Sequence, residues 1–196
     1  MDSFSQIAAV VSIIIGLGMT RLLSGGIVLF RGRHRSRVDW IPLVWAGILF
    51  LVIVQFWWSV NHIPPGFSGW SIESVVALSL LTCLLFVSAA LLLPQSEADQ
   101  ATDLAQFFEN EGRWSLLFFA LYNLATIAAN GFFFGADVRQ LWAALSLVEV
   151  ALPLVAFFSP TRRVRAITTL GAAVVFVAIL VLFTDARFDA TLRMGF

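Results

Sequence analysis

Glu149 is a carboxylate in the middle of an apolar run, LWAALSLVEVALPLVAFF. An ionisable group at membrane depth must be neutral, paired or hydrated, which makes it the first place to look for function. Ser146, Glu149 and Pro153 follow i, i+3, i+7 and so share one helical face. Asn123, Thr126 and Asn130 repeat that spacing in the preceding run, and Gln55, Ser59 and His62 line one face of an earlier one. Gln6 lies near the start of the chain. If these faces converge, they form a polar pocket suited to a small polar solute or ion. The competing expectation is that the amides and hydroxyls only hydrogen-bond between packed helices, at about 0.6 kcal/mol each on average.

Arg21 is the other costly residue, since an arginine at mid-bilayer costs about 2.5–3.5 kcal/mol on insertion scales. Three fates suit it: snorkelling to a surface, facing a wet cavity, or a bridge to a carboxylate such as Glu149. The depths favour snorkelling. Arg21 falls roughly 25 Å down a helix begun at Phe4, and Glu149 roughly 12 Å from the outer end of its own.

Most catalytic and cofactor chemistry lacks its residues. The chain has no lysine, its twelve basic residues all being arginine. A retinal or pyridoxal Schiff base and a phosphate-binding Walker lysine therefore have no amine. One cysteine, Cys83, provides neither a disulfide nor an iron–sulfur ligand set. The two histidines, His34 and His62, fall in a connection and at a rim, so a bis-histidine haem is not expected. A metal site built on His62 and Glu73 is conceivable at that rim, but the expectation is no metal and no cofactor. No HExxH or GxSxG motif occurs. Phe56-Trp57-Trp58 could hold a quinone, carotenoid or lipid tail, although aromatic packing at a rim explains it as well.

The elements that must position these residues are membrane spans. Of 196 residues, 60% are hydrophobic and only 12% charged, and the mean hydropathy is +0.91. A soluble domain carries roughly twice that share of charge. The zero formal net charge gives no global field for nucleic acid. The reading is an all-α, single-domain bundle of six spans, near 4–30, 41–60, 71–94, 114–135, 141–160 and 166–184. The first run lacks a basic leader segment and a small-residue cleavage site, and is read as a retained span. Within it, Ala8, Ser12, Gly16, Thr20 and Ser24 recur every four residues, a low ridge expected to be the bundle's packing spine.

The connections set the orientation. Arg31, Arg33, Arg35 and Arg37 mark the first, and Arg162, Arg163 and Arg165 the fifth. The positive-inside rule then places connections one, three and five in the cytoplasm and both termini outside. These seven arginines are expected to contact lipid headgroups. The third connection, Gln95–Arg113, is long and acidic. Its Leu104, Phe107 and Phe108 share a helical face and suit a short interfacial helix that could dock the arginines, against the slightly preferred reading of a solvated charge run. Trp40, Trp70, Trp114 and Trp142 mark span boundaries, and Pro64-Pro65-Gly66 an outer turn. No convincing internal repeat is visible.

In SIIIGLGMTRLLSG (Ser12 to Gly25), VQFWWSV (Val54 to Val60) and FFENEGRWSLLFFAL (Phe107 to Leu121), the chain resembles an uncharacterised family of small bacterial inner-membrane proteins. The resemblance implies a multi-pass protein of the bacterial inner membrane with no assigned activity. It also implies a histidine as the common residue where this chain has Arg21. Arginine-only basic usage agrees with a GC-rich bacterial source. The functional expectation is a non-enzymatic, transporter-like protein whose site is drawn from Glu149, Gln55, Asn130, Asn123, His62 and Arg21. The alternatives are a structural or regulatory subunit of a larger membrane complex, and a lipid- or quinone-binding protein or enzyme. Expected partners are membrane lipids and a second copy or larger membrane complex, with no nucleic acid.

Overall fold

The computed structural model describes residues 3–33, 38–61, 71–95, 103–133 and 141–193, and their side chains over 7–33, 38–61, 71–95, 103–133 and 143–181. The described residues are helical, without strands. They form α1 (Ser3–Gly32), α2 (Trp40–Asn61), α3 (Ile72–Leu92), a single turn α4 (Leu104–Phe107) running into a π-helical turn (Phe108–Gly112), α5 (Trp114–Phe133), α6 (Leu141–Phe158) and α7 (Arg162–Arg193). Five of these (α1, α2, α3, α5 and α7) are long and apolar enough to cross a membrane, and α6 is a shorter apolar helix. The expected turn at Pro64–Gly66, with His34, Arg35, Arg37, His62 and Trp70, lies outside the described residues.

Local chemistry sets the helix starts. Asp39 caps α2, its Oδ1 accepting from the backbone N–H of Ile41 at 3.2 Å. Ser71 and Ser74 form a reciprocal capping box at α3, each hydroxyl accepting from the other's backbone N–H.

The helices close a ring in the order α1, α3, α5, α6, α7, α2, with α2 also touching α3. Trp45, Leu49 and Ile53, one turn apart on α2, are almost wholly enclosed. Trp45 donates its indole N–H to Thr169 Oγ1 of α7 at 2.9 Å, so the ring closes through a polar contact. On the opposite side, Ser88 of α3 donates to the Ser115 carbonyl of α5 at 3.0 Å.

The packing spine of α1 is not the expected one. Val11, Ile15, Gly18, Leu22, Gly25, Leu29 and Gly32 are buried, alternating steps of four and three. Of the expected ridge, Thr20 is exposed and folds its hydroxyl back on the Gly16 carbonyl. A Cβ on Gly16 would meet no atom within 4 Å, whereas one on Gly25 would lie 2.6 Å from Leu93 Cβ. Buried rows on this helix follow its partners: Gly18, Gly25 and Gly32 lie in the buried row, Gly16 and Gly26 beside it.

The described part of the third connection, residues 103–113, buries its apolar side. Leu104 and Phe108 join the hydrophobic core, and a Cβ on Gly112 would stand 3.0 Å from the Leu92 carbonyl. The described part thus anchors by Leu104, Phe108 and Gly112 under the end of α3, while Gln106, Glu109, Asn110, Glu111 and Arg113 stay exposed. Glu109 fixes it to α7 through an ion pair with Arg165, and Asp39 ties the start of α2 to Arg162 at 3.0 Å.

Candidate functional site

The structure joins some of the expected polar residues and separates others. Pro153 lies inside α6. Having no N–H, it cannot bond the carbonyl four residues earlier, which belongs to Glu149. Asn123 of α5 supplies the missing donor, its Nδ2 reaching the Glu149 carbonyl at 3.3 Å. Neighbouring helices commonly repair proline breaks in membranes this way. Asn123 and Glu149 therefore meet, but through the backbone of Glu149. Its half-buried carboxylate has no ion pair or hydrogen bond among the described residues.

Two α5 residues complete this seam. Tyr122, the chain's single tyrosine, is buried, with its hydroxyl toward Thr126 and within electrostatic reach of Glu149. Its ring stacks on Phe119 at 6.2 Å and meets Phe56 of α2 edge-on at 6.1 Å. Phe119 in turn meets Trp45. These rings hold Tyr122 against the centre of the bundle. Thr126 Oγ1 is buried beside the Tyr122 hydroxyl. Tyr122 was missed from sequence; its uniqueness in the chain and its place beside Asn123 were the available signal.

The remaining candidates lie apart. Asn130 donates to the Thr126 carbonyl of its own helix at 2.9 Å. Gln55 is half-buried on α2, without a hydrogen bond among the described residues. Arg21 is exposed on α1, and its carbonyl accepts from Gln95 Nε2 at 3.2 Å, near the end of α3. The Arg21–Glu149 bridge does not form: α1 packs on α2 and α3, and α6 on α5 and α7. Phe56 turns inward while Trp57 and Trp58 turn outward, which divides the aromatic cluster.

The arginines also differ. Arg31, Arg33 and Arg163 are exposed, with Arg33 lying over the Phe30 ring at 4.2 Å. Arg162 is exposed yet paired with Asp39. Arg165, only 9% exposed, is spent on Glu109 rather than presented to a headgroup. No cluster of three or more His, Cys, Asp or Glu side chains suited to a metal occurs among the described residues. No family model, curated protein or solved structure matches the chain.

Proposed function

We propose that this chain is a six-span protein of the bacterial inner membrane, with both termini outside, that binds or passes a small polar solute or ion at the α5–α6 seam. It is a binding or transport protein rather than an enzyme. The observation that carries this reading is the Glu149 carboxylate, set among apolar helices with no ion-pair partner among the described residues. A group so costly to embed is retained where something neutralises or hydrates it. Glu149 lies eight residues into α6, roughly 12 Å from the end opposite the paired arginines. The positive-inside rule assigns the arginine end to the cytoplasm, which opens the seam toward the outer side. At 18 residues, α6 reaches the lower end of spanning length. Arg31, Arg33 and Arg163 then serve as headgroup contacts.

The test is a cysteine-accessibility scan in a Cys83→Ser background. Single cysteines at positions 126, 130 and 149 should react with a membrane-impermeant thiol reagent added from outside. Full protection of all three would overturn the reading. A second reading, a subunit that docks on a larger membrane complex, is favoured by the uncovered ridge of α1 at Gly16 and Thr20. Stoichiometric co-purification lost on Gly16→Leu would select it.

A further inference from the structure

The three arginines that open α7 are used differently. Arg162 is paired with Asp39 at the start of α2, and Arg165 with Glu109 of the π-helical turn. Arg163 is exposed, with no ion pair or hydrogen bond among the described residues. It heads the outer row of its helix. Ile167, Leu170 and Val174 follow at i+4, i+7 and i+11, and each is more than half exposed. In a membrane that row meets acyl chains, so Arg163 stands where an apolar surface reaches the headgroups.

Beside this row lies an open-sided groove of about 530 Å³. Leu154, Val155 and Phe158 of α6 line it on one side and Val164 of α7 on the other, with Ser159 at the turn between them. Its volume falls within the range of small-molecule sites, about 300–1,000 Å³. The lining is apolar except at Ser159. Ser159 Oγ has only 3.4 Å contacts inside its own turn, with the Thr161 N–H and carbonyl, and so keeps capacity for a ligand oxygen. α7 begins at this turn, and the positive end of its dipole adds to the Arg163 charge. Trp114 meets Phe157 edge-on at 5.1 Å, which sets this corner at the aromatic rim of the bundle.

An apolar groove with a free cation and a hydroxyl at its rim end is complementary to an amphiphile with an apolar tail and an anionic head. In a membrane that molecule is an acidic phospholipid. A free anion would leave the groove empty, and an uncharged lipid would leave Arg163 without a counter-charge. We propose that the α6–α7 corner holds one anionic phospholipid, its acyl chain in the groove and its phosphate against Arg163 and Ser159. This gives the headgroup contact of Arg163 a defined tail site, and it rests on the membrane placement of the bundle rather than on Glu149.

The test uses the full chain purified in detergent, with phosphatidylglycerol as probe and phosphatidylcholine at equal mole fraction as control. Phosphatidylglycerol should raise the thermal unfolding midpoint saturably and above the control, because a ligand that binds only the folded state stabilises it. Arg163→Gln should weaken the apparent affinity about fivefold. Val155→Trp, which fills the groove and leaves every charge in place, should weaken it at least as much. Glycerol 3-phosphate, a headgroup without a tail, should give no shift at the same concentration. Each variant is first checked for a monodisperse, helical fold, and Val164→Trp, on the opposite wall, replaces Val155→Trp if that variant does not fold. Equal midpoints in the two lipids would overturn the proposal. So would full affinity in the tryptophan variant, which would mean diffuse charge attraction, or a glycerol 3-phosphate shift as large as that of the lipid. Thiol accessibility at position 149 does not depend on any of these outcomes, so the two readings fall separately.

Discussion

Asn123 illustrates how one residue can satisfy a spacing rule yet do something the rule does not announce. Its i, i+3, i+7 register with Thr126 and Asn130 was visible in the sequence. Its partner was not, because that partner is a backbone carbonyl exposed by a proline on another helix. Asn123→Ala should cost about 1 kcal/mol, the scale of a hydrogen bond between membrane helices, read as reversible unfolding in detergent. In a Pro153→Ala background, the restored backbone N–H supplies the donor. There the same Asn123 change should cost less than about 0.5 kcal/mol, and the difference is the coupling of the two positions. Equal costs in both backgrounds would mean that Asn123 acts elsewhere. The ion pairs follow the same logic. Each charge of Asp39–Arg162 and Glu109–Arg165 was readable, but partners 123 and 56 residues apart could not be assigned before the fold.

At the scale of the helix, composition predicted existence and position well. The expected spans near 41–60, 71–94 and 114–135 lie close to α2, α3 and α5. The apolar character of a run survives any packing, which is why it is legible. Helix faces are not legible in the same way when almost every residue is apolar. On α1 the row of smallest residues looked like the interface, yet the buried row mixes glycine with valine, isoleucine and leucine. Two glycines separate these descriptions. Gly25→Ala places a methyl group 2.6 Å from Leu93 Cβ and should destabilise by about 1–3 kcal/mol through overpacking. Gly16→Ala meets open space and should be neutral, or stabilising by up to about 1 kcal/mol from helix propensity. Parallel unfolding curves of the two variants decide the matter. A Gly16 variant as damaged as the Gly25 variant would restore the small-residue ridge as the spine.

At the scale of the whole molecule, the order of helices around the ring departs from their order in the chain. α2 touches α1 and α7 as well as α3, and α3 passes α1 to α5. Hydropathy alone cannot supply that order, because it records membrane affinity and not neighbours. The number of crossings has its own measurement. With six spans and both ends outside, alkaline phosphatase fused after Phe196 should be active, and green fluorescent protein at the same point dark. The reverse pattern would mean either five spans, with α6 not crossing, or six spans with both termini inside, and a second reporter at the N-terminus separates the two.

The Trp45–Thr169 contact joins residues 124 positions apart, and this separation has a consequence in time. Ribosomes add roughly 5–20 residues per second, so the indole emerges about 6–25 seconds before its acceptor. During that interval the nascent protein is an open crescent, and the indole N–H waits for α7 to be made. Closure of the ring therefore depends on α7. Chains truncated before Arg162 would leave that crescent permanently open to membrane quality-control proteases.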